Sequence, residues 1–212
     1  MKFERHSPVD ILKPFIRAFM IIESGGGAIN RLLPDTSIIM AFRFKGTTYA
    51  GGGARTRLPA CAVSGLTKSA RLVEYSKETA TLLVIFNEGG APAFSDVPLH
   101  QLFGIHVSLD NLLHRQKLDA VAGQLSAATH HSKRISIVEQ FLLSELHESR
   151  SDRLILHAVQ QIRAANGNIR IKDLATTLAI SQDAFEKRFD RSIGASPKQF
   201  ARIVRLRYVI NS

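Results

Sequence analysis

The sequence predicts an α+β chain: a small antiparallel sandwich or barrel, then helices, then an all-helical basic unit. Three observations carry that expectation. Five strand-like apolar runs separated by turn residues fill the first part of the chain. From Asn87 the apolar residues recur at helical spacing instead. The stretch from Ile171 to Ile210 divides into three short helices with their own start and stop signals.

Taken in order, Pro14 to Ile22 (PFIRAFMII) reads as a first strand, and Ser24-Gly25-Gly26-Gly27 breaks it. Ser37 to Phe44 (SIIMAFRF) is a second strand, closed off by Gly51-Gly52-Gly53. Neither glycine stretch runs from a strand into a helix with a phosphate-cradling pattern, so both are read as loops. Leu58 to Gly65, Lys68 to Tyr75 and Thr79 to Phe86 complete the set of strands. Leu99 to Phe103, Leu109 to Arg115, Leu118 to Ala127 and Ile135 to His147 then read as helices. The polar run His147 to Asp152 joins this part to the next. Asp152 to Ala165 is a helix with Leu154, Ile155, Ala158, Val159 and Ile162 on one side, ended by Asn166-Gly167-Asn168.

The last stretch carries the functional signal. Ile171, Leu174, Ala175 and Leu178 form one stripe on a short helix. Ile180 plugs a turn, and Ser181 is an N-cap for a second helix, Gln182 to Ser192. That helix offers Phe185 and Phe189 to a core, with Ala184 beside them. Gln182, Asp183, Glu186, Lys187 and Asp190 form its polar face. Gly194 suits a left-handed stop, and Ser196-Pro197 opens a third helix. Two helices joined by a turn of about three to four residues, the second with a narrow core stripe and a wide polar face, are the proportions of a helix-turn-helix.

Charge agrees with this placement. The net charge is +10, and residues 150–212 hold 12 Lys+Arg against 5 Asp+Glu, whereas the longer first part holds 16 against 13. A basic unit of this kind fits a phosphate backbone.

Several classes of chemistry are disfavoured. A metal enzyme on a small β fold needs closely spaced histidines and a carboxylate on strands. His6, His100, His106, His114, His130, His131, His147 and His157 all lie outside the five expected strands. No Gly-x-Ser-x-Gly elbow occurs, so no catalytic residue, metal or cofactor is assigned. Glu74, Glu78 and Glu88 read as solvated loop residues. The lone Cys61 reads as a small buried thiol and fits a reducing compartment. No apolar run reaches the ~18 residues of a membrane span, and no signal peptide is evident, which together suggest the cytoplasm.

The stretch from Ala175 to Arg205 resembles the first helix-turn-helix of AraC/XylS-type transcription regulators. The matching residues are Ala175 and Leu178, Ser181, Phe185 at a usual Leu, Arg188-Phe189, Gly194, Ser196-Pro197, Phe200 and Arg205. The first part resembles, more weakly, the N-terminal domain of one such subgroup. Its landmarks are Pro14-Phe15-Ile16, Leu33-Pro34-Asp35, Ser64-Gly65 and Phe86-Asn87-Glu88-Gly89-Gly90-Ala91. Thr36 departs from that pattern, where a glycine or small residue is expected, and is expected to change the turn and not the fold.

The resemblance implies a cupin-like sensing or dimerisation domain over residues 1–148 and a first helix-turn-helix subdomain over 149–212. It also implies a second helix-turn-helix beyond a long joining helix. The sequence reaches Ser212 inside what corresponds to that joining helix, so a fragment or a short variant is expected, one that binds DNA weakly or as a dimer.

Function then reads as a sequence-specific DNA-binding transcription regulator, with double-stranded DNA, a small-molecule effector and a second copy of the chain as partners. The alternatives are a truncated interaction or ligand-binding protein that does not bind DNA and, more remotely, a cupin-type enzyme. Base reading falls to Gln182, Asp183, Glu186 and Lys187, and phosphate contact to Lys172, Ser181, Arg191, Lys198, Arg202 and Arg205. Arg205 equally suits a structural bond back to the helix-turn-helix. Asp183, Glu186 and Asp190 place three acids on the reading face, which counts against simple attraction to phosphates.

Overall fold

The computed structural model describes residues 1–51, 55–95, 97–147 and 152–212. It is a mixed α+β structure of antiparallel sheets and helices. Among the described residues ten strands make two sheets. The larger has the order β1 (Lys2–His6), β2 (Ile16–Ser24), β9 (Thr79–Phe86), β4 (Ile39–Lys45), β7 (Cys61–Ser64), β10 (His106–Ser108). The smaller has the order β3 (Ala28–Leu32), β8 (Arg71–Tyr75), β5 (Thr48–Ala50), β6 (Thr56–Arg57). Every ladder is antiparallel. The ladders of the described residues do not close into a barrel, so of the two expected forms the stacked pair of sheets is the one observed.

Strand periodicity explains the layering, because successive side chains point to opposite faces. On the central strands, Phe19 and Ile21 of β2, Met40 and Phe42 of β4, Val63 of β7, and Leu82, Val84 and Phe86 of β9 share one apolar cluster. Helices α1 (Arg115–Ala127) and α2 (His131–Ser144) cover it, with Phe42 and Phe141 packed edge to face at 5.9 Å. The opposite face carries Met20, Ile22 and Leu83, which meet Val73 and Tyr75 of β8.

Four further helices follow: α3 (Arg153–Ala164), α4 (Ile171–Thr177), α5 (Gln182–Ile193) and α6 (Pro197–Asn211). Phe185, Phe189 and Phe200 are fully buried among them, their rings 5.7 and 5.5 Å apart in sequence. Their core runs on without a break into the cluster under the large sheet.

Some expectations need correction. Leu99 to Phe103 and Leu109 to Arg115 are not α-helices; the chain makes 3-10 turns at Leu99–Leu102 and Leu109–Asn111, with β10 between them. Strands β1, β3, β5, β6 and β10 are additional to the five expected. His6 ends β1 and His106 opens β10, so two histidines do lie on strands. Ala184 is exposed, and Ile193 takes the core place beside Phe189. Glu148 to Ser151, where the joint between the two parts was expected, and Gly52-Gly53 of the second glycine loop lie outside the described residues.

Candidate functional site

The polar face of α5 is built by its caps. The Ser181 hydroxyl accepts from the Ala184 N–H at 3.3 Å and starts the helix. At the other end Gly194 stands at φ +87°, and a Cβ there would come within 3.0 Å of the Leu99 carbonyl oxygen. Only glycine meets both demands, and the fit seats α5 against the 3-10 turn of the sheet-bearing part. The tight turn before α5 is carried by Ala179 at φ 52° and by the Ile180 N–H, which donates to Ala175 O at 3.1 Å.

The four expected base-reading residues lie together on this helix. Gln182, Asp183 and Lys187 are exposed and Glu186 is half-buried. Lys187 Nζ pairs with Asp183 at 2.9 Å, and Gln182 donates to Glu186 at 2.7 Å, each across one helical turn. Lys187 therefore offsets Asp183, whereas Glu186 keeps its charge. Asp190 does not join it. It is half-buried toward His100, and burial pushes its carboxyl above the usual range against the opposing pull of that histidine.

Arg191 extends the exposed ridge that begins with Asp183 and Lys187, each one turn further along. Lys172 on α4 is exposed, and so are Lys198 and Arg202, which stand one turn apart on α6. Ser181 is exposed too; its oxygen caps α5, which leaves the hydroxyl proton to donate elsewhere. Arg205 Nη2 donates to the Gly167 carbonyl at 2.9 Å, a bond of the kind its structural alternative calls for. Arg188 is likewise a tie: its guanidinium grips both oxygens of Asp152, and Asp152 Oδ1 also accepts from the Ile155 N–H to cap α3.

Two features escaped the sequence. The first is the junction between α3 and the large sheet. Glu88, expected as a solvated loop residue, is only 14% exposed and receives Arg17, Arg163 and Thr36. Thr36 Oγ1 donates to Glu88 at 2.6 Å and accepts from Arg163 Nη2 at 2.7 Å. Asp35 pairs with Arg207 of α6 at 3.7 Å. The departure at Thr36 thus supplies a buried hydroxyl to this junction.

The second is a cavity between the two sheets. Its walls come from the central-strand face on which the small or polar Ala41, Ala62, Ser64 and Thr81 stand among Ile22, Ile39 and Leu83, roofed by Leu58, Val73 and Tyr75. Short side chains there leave space where the other face is filled by Phe and Leu. The cavity measures about 160 Å³, and an apolar space of that order admits a benzene-sized group. Leu33, Asp35 and Ser37 form part of its wall, so the segment that holds Thr36 borders both cavity and junction. Among the described residues no cluster of three or more metal-ligating side chains occurs, and no helix is long and apolar enough to cross a membrane.

Residues 4–108 match a family model described as a domain of unknown function, DUF6597. No curated protein matches the chain. Among solved structures, the chain is similar to unsaturated fatty acid-bound ToxT from Vibrio cholerae strain SCE256, at 11% identity and a TM-score of 0.48, covering 100% of this chain and 82% of that one. It is also similar to the AraC-like transcriptional activator CuxR, at 10% identity and a TM-score of 0.33, covering 99% and 85% of the two chains. Overlaps this loose carry no argument about function, which rests on the residues.

Proposed function

We propose that the chain is a sequence-specific DNA-binding transcription regulator that acts as a cytoplasmic homodimer. In this reading residues 149–212 bind DNA, and residues 1–148 sense a small molecule in the inter-sheet cavity and dimerise. Catalysis plays no part. The observation that carries the reading is α5 itself. It rests on a phenylalanine core, is capped at both ends, and presents Asp183, Lys187 and Arg191 along an exposed ridge.

In this reading α5 lies in the major groove. Lys187 reads guanine, Gln182 adenine and Glu186 the cytosine amino group, with Asp183 as a further acceptor. Lys172, Ser181, Arg191, Lys198 and Arg202 hold phosphates on either side. Arg205 steadies the turn after α3 and makes no phosphate contact. The acids of the reading face are compatible with this role, because Asp183 is paired with Lys187, Asp190 turns toward His100, and Glu186 is the acid assigned to the cytosine amino group.

The test is selection of bound duplexes from a randomised pool by the purified chain. Enrichment of one sequence motif, lost in Lys187→Ala, supports the reading. Recovery of unenriched sequence would favour the alternative of an interaction protein, for which the internal pairing of the α5 face is the favouring observation.

A further inference from the structure

The cavity between the sheets has two polar ends separated by an apolar middle, and its cations lack counter-charges. The inference drawn from this rests on the sensing role proposed above. Arg43 is 9% exposed, and its guanidinium donates to Thr48 Oγ1 at 2.6 Å and to the Leu58 and Pro59 carbonyls at 3.2 and 3.3 Å. These acceptors hold it in place without neutralising it. Arg71 donates to the Gly65 carbonyl at 3.1 Å and, among the described residues, forms no ion pair. Most of its five donors are therefore open.

His106 stands at the same wall. Its Nδ1 lies 2.5 Å from Ser64 Oγ, and the ring also meets the Val63 backbone, which opposes the two effects that follow. Burial first, and Arg71 second, push this imidazole toward its neutral form, and burial also lowers the Arg71 guanidinium from its ordinary value. Arg71 and His106 border, besides the cavity, an outer cleft with Arg31 and no carboxylate in its lining. Asp35, the acid of the cavity wall, is already engaged by the Ser37 N–H at 3.1 Å and by Arg207.

The other end holds an unsatisfied group. Thr81 is 6% exposed, lines the cavity, and its Oγ1 has no hydrogen-bond partner. A buried hydroxyl without a partner is costly unless something occupies the space before it. Strand register fixes the span between the two ends. Thr81 opposes Arg43 on β4, whereas Ser64, partner of His106, opposes Ile39. Four residues of strand set these points about 13 Å apart at the backbone, and the Arg71 side chain shortens the gap. Between them lie Ala41, Ala62 and Leu83.

We propose that this cavity takes a small organic monocarboxylate with a flat apolar body and a hydroxyl at its far end. The carboxylate sits between Arg71 and His106, and the hydroxyl meets Thr81 Oγ1. A carboxylate supplies the missing negative charge, accepts from the open Arg71 donors in a forked geometry, and cannot be replaced by a neutral amide at equal strength. A benzene-sized body suits the volume of the cavity as a whole, about 160 Å³.

The experiment is calorimetric titration of the full chain with hydroxylated aromatic and aliphatic monocarboxylates of this size, led by 4-hydroxyphenylacetate. Each acid is run beside its amide and beside the acid lacking the hydroxyl. Saturable binding of a carboxylate, at least tenfold tighter than its amide, is expected. Arg71→Gln should lose at least tenfold for the acid with little change for the amide. Thr81→Val should erase the preference for the hydroxylated acid and leave phenylacetate binding unchanged. The comparison of acids with amides uses the natural chain, so it stands even where a variant fails to fold. Equal binding of acid and amide, or no binding by any carboxylate of the set, overturns the assignment. Tight carboxylate binding that leaves DNA binding unaltered would uphold the ligand class while counting against the sensing role.

Discussion

Arg163 Nη2 donates to Thr36 Oγ1 at 2.7 Å, joining residues 127 positions apart in the chain. Thr36 lies in the segment that walls the inter-sheet cavity, and Arg163 lies near the end of the helix that opens the basic bundle. Glu88 takes hydrogen bonds from both. Any shift of the Leu33–Ser37 wall therefore moves a hydrogen-bonded group that also positions α3. The cavity and the helical bundle have a direct physical connection.

Glu88→Gln should weaken this connection. It removes the one carboxylate shared by Arg17, Arg163 and Thr36 and leaves two guanidiniums facing each other. Hydrogen bonds to charged groups contribute about 1.5–3 kcal/mol, and a loss at the lower end of that range is expected in urea unfolding. Thr36→Val should cost less, because the Arg17 and Arg163 pairs with Glu88 survive it.

Phe189→Ala should melt the C-terminal helices. Phe189 is fully buried between Phe185 and Phe200, and truncating a core aromatic costs about 3–5 kcal/mol. Circular dichroism should show loss of helix, whereas Ala184→Ser, at an exposed site of the same helix, should stay within roughly 0.5 kcal/mol of the parent.

Arg205→Ala separates structure from phosphate contact. Its hydrogen bond to Gly167 predicts a loss of roughly 1 kcal/mol in stability. The slope of DNA affinity against salt should stay as it is in the parent chain. A flatter slope would return Arg205 to the phosphate-contacting set.

Cys61 should be slow to react. Burial, the largest cause, pushes its thiol from 9.0 to about 11, with Arg43 opposing and Asp119 and Asp110 adding to the rise. The folded state thus holds this proton more tightly than the unfolded chain does. Its contribution to stability is complete below pH 9 and is lost as pH rises through about 11. Alkylation at pH 8 should run about a hundredfold slower in the folded chain than after unfolding, in line with the smaller thiolate fraction.

The parts of the fold that sequence reveals are those with strong local codes. Thr79–Phe86 and Gln182 to Gly194 are read almost residue for residue, the first from its unbroken apolar run and the second from its caps and paired phenylalanines. The strands missed at Lys2–His6 and Ala28–Leu32 lie at sheet edges, where charged side chains face water and the alternation is blurred. Strand β10 is three residues long and owes its existence to pairing with β7, which no local signal announces. The same limit hid the site in the sheets. Ser64 meets His106, and Thr36 meets Glu88 and Arg163, only through tertiary contacts. A signal was nevertheless present: Ala41, Ala62, Ser64 and Thr81 recur on one face of otherwise apolar strands, which marks a face left unfilled.

In the function proposed above, the exposed ridge of α5 reads DNA while the α6 cations hold its backbone. The deciding experiment is a titration of a selected duplex at two salt concentrations, with Lys187→Ala and Arg202→Ala beside the parent chain. A saturable complex with steep salt dependence is expected. Lys187→Ala should relax sequence preference by the ~1–3 kcal/mol of one base contact, and Arg202→Ala should weaken all sequences alike and flatten the salt slope by about one unit. Equal affinity of the parent and both variants for every duplex, at either salt concentration, would contradict the claim.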